Sequence, residues 1–217
     1  MPRPTEILRD ASLEDWHHAT RHKFCAELAS GSLPLDKMRN YLAQDYQFID
    51  NFFRLAASAI HHAPSLPDRL PLAQFMGVLA GPENTYFQRS FDALDVPEKE
   101  RSNPTLREAT KAFQELMLKA SKSENYGAMV AVLCVAEWSY LEWATPFASY
   151  DTSLPFYFSE WIDLHIGGYF ESVVEHLRSQ VDATYGATND EGREIIADYF
   201  SKAIQLERDF FDMSYSS

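Results

Sequence analysis

Three acids and one histidine stand where helical spacing puts them beside aromatic rings. Asp45, in "YLAQDYQFIDNFF", precedes Phe48 by three residues and Ile49 by four, so the three share a helix face. Glu137, in "VLCVAEWSYLEWA", has Cys134 three residues before it, Tyr140 three after it, and Val135, Ala136 and Trp138 as neighbours. His165, in "WIDLHIGGYF", has Trp161 four before and Tyr169 four after. Glu207, in "AIQLERDFFDM", sits among Ala203, Phe210 and Phe211. Burying a carboxylate is costly unless it is paired or hydrogen-bonded. An unpaired one holds its proton to higher pH, which suits acid–base catalysis near neutrality. Each residue also has an ordinary reading. Asp45 and Glu207 fit solvated faces, Glu137 fits a salt bridge to Arg107 or Lys111, and His165 fits a hydrogen-bonded core position. The Gly167–Gly168 pair would let a ligand or another backbone approach closely.

Helical periodicity accounts for the elements that must carry these residues. Ser12, followed by Leu13, Glu14 and Asp15, reads as an N-cap and acidic first turn of a helix reaching about Ala29, where "SGSLP" stops it. A second helix is predicted from Pro34 to about His62, with apolar positions from Met38 to Phe53 at helical spacing. "PSLPD" separates it from a shorter helix over Arg69 to Leu79, and Gly81 and Pro82 punctuate before "ENTYFQRSFDAL". "TLREATKAFQELMLKA" is next, then Tyr126 to Ser149, then "FYFSEWIDLHIGGYFESVVEHLRSQV" after Pro155, then Asp190 to Met213. No segment alternates with period two between hairpin turns. The expectation is an all-α helical bundle, one domain over residues 1–217.

With 217 residues, of which 46% are hydrophobic, the chain can bury a sizeable core. Nineteen basic against 32 acidic residues leave a net charge of −13, which repels phosphate backbones and anionic membranes alike. The longest apolar run, Ala128 to Ala136, is far short of the roughly 20 residues of a membrane span. The stretch "MPRPTEILRDASLEDW" lacks the basic-then-apolar pattern of a signal peptide. Cys25 and Cys134 have no disulfide-framework or metal spacing, so reduced thiols in the cytoplasm are expected. No metal site is expected either. The single E-x-x-H, Glu14 to His17, has no second copy with which to build a di-iron centre.

Read in order, "SGSLPLDKMRNYLAQDYQFI", "AEWSYLEWA", "EWIDLHIGGYF" and "LERDFFDM" resemble the TenA family, which includes thiaminase II. The resemblance covers nearly the whole chain, and Gly31 to Tyr46 is its most specific part. It implies a haem-oxygenase-like all-helical fold, a homo-oligomer (tetramer or dimer), and metal-free action without cofactor on the pyrimidine half of thiamin or its breakdown products. The family's substrate-holding aspartate falls on Asp45 and its nearby aromatic on Phe48, where tyrosine is usual. The tyrosine of its C-x-W-x-Y pattern falls on Tyr140, which puts Ala136 where the catalytic cysteine belongs. Cys134 lies two residues early, about 200° around the helix. His165 takes the place of a second tyrosine, and Glu207 that of the late catalytic glutamate. The resemblance is therefore to the branch that lacks the cysteine and carries a glutamate, here Glu137. That branch is linked to thiamin salvage, by deformylating N-formyl-aminomethyl-aminopyrimidine and deaminating the resulting aminopyrimidine. In this reading Glu207 and Glu137 are catalytic, ionised Asp45 takes the 4-amino edge, and Phe48 and Tyr140 stack on the ring. His165 would donate a hydrogen bond to a ring nitrogen or an oxyanion. The rivals are a haem enzyme using His17, His18 or His22, a di-iron oxidase using Glu83, Glu137 and His165, and a pyrimidine-binding protein without turnover.

Overall fold

The structure, a computed structural model, describes residues 2–216, and among these there is no strand. Thirteen α-helices follow one another among the described residues: α1 (Pro4–Ala11), α2 (Leu13–Thr20), α3 (Lys23–Ser30), α4 (Leu35–Asp45), α5 (Phe48–His62), α6 (Leu66–Val78), α7 (Asn84–Ala93), α8 (Glu98–Ser102), α9 (Glu108–Ser121), α10 (Tyr126–Ala144), α11 (Phe156–Leu164), α12 (Gly167–Ala187) and α13 (Asp190–Tyr215). A π-helical turn, Leu79–Glu83, joins α6 to α7, and a 3-10 turn, Thr145–Phe147, follows α10. No described helix is long and apolar enough to cross a membrane.

Helix α10 is the axis of the bundle. Every residue from Gly127 to Tyr140 is buried, so it is apolar on all sides instead of along one stripe. It packs most extensively on α13 and α12, with α2, α5 and α9 closing the ring. Its start is fixed by Asn125, whose side chain accepts from the Ala128 N–H at 3.0 Å. One turn later α13 comes so close that a Cβ on Gly127 would lie 2.8 Å from the Ile196 side chain. Asn189 caps α13 by accepting from the Gly192 N–H at 2.9 Å.

Three helices expected as single rods are each two. At α2/α3, His22 accepts the Phe24 N–H on Nδ1 (3.1 Å) and starts a new helix. At α11/α12, Gly167 takes φ +84°, which bends the chain directly after His165. That is its role: a Cβ at Gly167 or Gly168 would meet nothing within 4 Å, so no close approach is made there. At α4/α5 the chain turns at Tyr46 and Gln47, immediately after Asp45. Ser12 does precede α2, but its side chain makes no capping bond. Helices α1 and α8, of eight and five residues, are additional to those expected. Pro146, inside the 3-10 turn, ends α10 short of Ser149.

Candidate active site

The "QDYQ" segment shows how the fold presents an acid. Gln44 is buried, and its Oε1 accepts from the Arg107 N–H (3.0 Å) and the Thr110 hydroxyl (2.7 Å) while its Nε2 donates to the Thr105 carbonyl (3.1 Å). It therefore pins the end of α4 to the start of α9. Tyr46 donates from its hydroxyl to Asn84 Oδ1 at 3.0 Å, tying the same spot to the start of α7. Gln47 donates to the Arg101 carbonyl (3.0 Å), and its own carbonyl accepts from Gln114 (2.7 Å). The Asp45 carboxyl, held between these anchored neighbours, has no hydrogen-bond partner among the described residues.

Asp45 faces a cavity with about 80 Å³ of solvent-accessible volume. Phe48, Glu137, Tyr140, His165 and Glu207 line the same cavity, so all six residues singled out in the sequence converge. Glu83 joins them as a fourth carboxyl group, together with Ile49, Phe52, Leu79, Phe113, Met117, Ala136 and Trp161. No lysine or arginine lines it, and the salt bridge expected for Glu137 does not form: Lys111 pairs with Glu108 on its own helix. Glu137 and Glu207 retain only 8% and 3% exposure.

Four acids without a cation in an apolar enclosure cannot all ionise. Burial first, then the neighbouring carboxyls, push Asp45, Glu137 and Glu207 well above the ordinary carboxylate range. Burial alone raises Glu83 to about 8. In the ligand-free protein these raised carboxyls favour the protonated form, and the expected ionised Asp45 belongs to the substrate-bound state.

Neutral groups complete the wall. Trp161 Nε1 donates to the Tyr41 hydroxyl (3.1 Å), which lies 2.7 Å from the Tyr140 hydroxyl and fixes where that phenol sits. His165 Nδ1 is 2.7 Å from the Trp161 carbonyl, which can only accept, so Nδ1 carries the proton. Burial lowers this imidazole to about 4. At neutral pH Nε2 is therefore an acceptor, and the expected donor role of His165 is reversed. The Tyr140 and His165 rings pack at 4.8 Å, while Phe48 packs edge-on to Phe113 and Phe210.

Ala136 lines the cavity, whereas Cys134 is buried elsewhere on α10 and its thiol is pushed up by burial. Cys25 is likewise buried and raised. The histidines of the haem rival, His17, His18 and His22, do not line the cavity. His18 and His22 instead meet Asp212 at 3.0 and 3.2 Å. Those three are the one group of described residues whose ligand atoms all lie within 4.8 Å of one another. His22 Nδ1 is already an acceptor, so its Nε2 bears the proton and donates to Asp212 instead of offering a lone pair to a metal. The cavity lining, four carboxyl groups among aromatic and aliphatic side chains, suits an organic cation with an apolar ring.

Residues 10–217 match the TENA/THI-4/PQQC family. The chain belongs to this family. Among relatives, it is 23% identical over 211 residues to an aminopyrimidine aminohydrolase of Bacillus subtilis (strain 168), covering 97% of this chain and 89% of that protein. A Helicobacter pylori protein of the same name is 23% identical, with 93% and 94% covered. A TenA family transcription regulator from Silicibacter sp. TM1040 superposes with a TM-score of 0.86 at 21% identity over 99% of this chain and 97% of that one. A TenA homologue from Pyrococcus furiosus gives 0.86 at 20% identity, over 98% and 100%. These likenesses establish the all-α, haem-oxygenase-like fold of the TenA family for this chain.

Of the cavity residues, Glu83 was legible only as a metal-ligand candidate. Its signal was "LAGPE", a Gly-Pro pair next to an acid, which reads as a break but forms a π-helical turn. Such turns concentrate at functional sites.

Proposed function

We propose that this protein is a thiamin-salvage hydrolase of the TenA branch without the catalytic cysteine, acting on C–N bonds of aminopyrimidines by carboxylate acid–base chemistry. One observation carries the reading: two nearly sealed glutamates, Glu137 and Glu207, without a basic partner among the described residues, face one cavity that Ala136 also lines. The resemblance puts the family's cysteine at Ala136. The names of the relatives support the substrate class. The same reading takes the chain to be one helical domain, working as a cytoplasmic homo-oligomer without metal or cofactor.

Asp45 takes the amidine-like edge of the pyrimidine, and this contact ionises it. Phe48 and Tyr140 stack on the ring. His165 Nε2 accepts a hydrogen bond from a substrate N–H. In the formamide, Glu207 removes a proton from water as the oxygen bonds to the formyl carbon. The C–N bond then breaks, with the proton passed to the departing nitrogen, and formate and the amine result. In the amine, the 4-amino group gives a proton to Asp45 and its electrons expel ammonia from the side-chain carbon. Water adds to the exocyclic methylene so formed, Glu207 takes the water proton, and Asp45 returns its own to the ring substituent. The products are the hydroxymethylpyrimidine and ammonium. Glu137 holds the water and shares the proton, because two neighbouring acids divide into one base and one acid.

The test is product formation by metal-free protein supplied with the formylaminopyrimidine, the aminopyrimidine and thiamin. Ammonia or formate should be released from the pyrimidines. Glu207→Gln should cost about 10²- to 10⁴-fold in turnover while substrate binding persists. Wild-type turnover in that variant would remove Glu207 from its role. Binding without any turnover in the wild type would favour the non-catalytic reading.

A further inference from the structure

Glu83 is one carboxyl more than the proposed chemistry uses. It ends the π-helical turn Leu79–Glu83, in which Leu79 and Glu83 both reach the cavity. Pro82 has no N–H to continue a regular ladder, and the Gly81 carbonyl is taken by the Thr85 hydroxyl at 2.8 Å. The widened turn thus delivers an acid that a regular α-helix would direct elsewhere. Its carboxyl has no hydrogen-bonding or ionic partner among the described residues. Its location relative to Asp45 is set by the residues directly after each: Tyr46 donates to Asn84 at 3.0 Å, so the end of α4 and the end of the π-turn are clamped together. Gln88 adds a second bond to the Tyr46 hydroxyl at 3.1 Å.

Two carboxyls that line one cavity, on elements tied together at Tyr46 and Asn84, match a ligand whose two nitrogens sit on neighbouring substituents. In an aminopyrimidine with an aminomethyl arm, the 4-amino group and the arm are neighbouring substituents. The arm is an ammonium ion at neutral pH, whereas its formamide and its hydroxymethyl counterpart are uncharged.

We propose that Glu83 is the specificity-determining counter-ion for the ammonium arm of the substrate, so that the site selects the free amine over neutral pyrimidines of the same ring. This deepens the hydrolase reading above and rests on it. Glu137 and Glu207, buried and without basic partners, add to the demand for a cation, and Glu83 decides which end of the ligand carries it.

The experiment is equilibrium binding by calorimetry in the Glu207→Gln background, which stops turnover, using the aminomethyl- and hydroxymethyl-pyrimidines as probes. Adding Glu83→Gln should raise Kd for the amine at least 10-fold and leave Kd for the hydroxymethyl compound within about two-fold. Glu83→Asp, which keeps the charge, should recover most of the amine affinity. Equal weakening of both ligands would make Glu83 a shape residue, and no change in either would remove it from the site. Both results overturn the proposal while leaving the hydrolase reading intact. If folded Glu207→Gln protein, checked by circular dichroism, binds neither pyrimidine, the hydrolase reading fails and the Glu83 assignment fails with it.

Discussion

Replacing Glu83 by glutamine should make the protein more stable, and increasingly so as pH rises. The unfolded chain loses the Glu83 proton above its ordinary value of 4.5, while the folded protein keeps it until about 8. Between those values folding must take up a proton, at about 1.4 kcal/mol per pH unit. A raised carboxyl therefore destabilises the native state progressively through this window. The cost is about 1 kcal/mol at pH 5.5 and about 4 kcal/mol at pH 8. Glutamine has the same shape and no proton to take up, so the variant escapes this cost. It also relieves Asp45 and Glu137, both of which Glu83 pushes upward. Water in the cavity shields the charge and shrinks both figures without changing their order. For a domain of this size, roughly 2–4 °C per kcal/mol makes the excess in Tm several degrees larger at pH 8 than at pH 5.5. Thermal melts of both proteins followed by circular dichroism at the two pH values measure it. A difference that does not grow with pH, or a variant that melts lower at pH 8, refutes the claim that Glu83 holds its proton in the cavity without a partner.

Three other outcomes follow from the same cavity. Native protein should resist a maleimide, because both thiols are sealed, whereas Ala136→Cys should label rapidly and be protected by bound pyrimidine; labelling at wild-type rates would place position 136 away from the cavity. Nitrogen NMR of His165 should show the Nδ1–H form at pH 7 and a titration midpoint near 4; a midpoint near 6.5 would mean the ring is solvated. Tyr41→Phe should cost about 1–3 kcal/mol by stranding the Trp161 N–H and loosening Tyr140, so an unchanged Tm would show that water replaces the hydroxyl.

How far the site was legible in the sequence depended on which interactions set each feature. Asp45, Glu137, His165 and Glu207 were visible because a polar group among aromatics at helical spacing needs an explanation, and the cavity supplies it. The helix breaks beside Asp45 and His165 were not visible. Local spacing continues smoothly through "QDYQFI", where the turn is held by contacts distant in sequence, Gln114 to Gln47 and Tyr46 to Asn84; in "LHIGGYF" the Gly pair marks the place but not that Gly167 takes a positive φ. Glu83 was obscured for a related reason. A Gly-Pro pair reads as an interruption, whereas the chain runs from α6 through a π-helical turn into α7 without leaving helical geometry. The tautomer of His165 depends on one backbone carbonyl, which no side-chain pattern encodes.

The enclosure of α10 has an evolutionary consequence. A helix buried on every side has no surface positions at which to drift freely, yet three of its residues, Ala136, Glu137 and Tyr140, border the cavity. There a side chain can change size or chemistry against empty space without disturbing any neighbour's packing. New reactivity can therefore arise by exchanging one or two letters on a helix whose shape is otherwise held constant. Chains that retain only 20–21% of one another's residues can keep a common frame, as this chain does with its structural relatives.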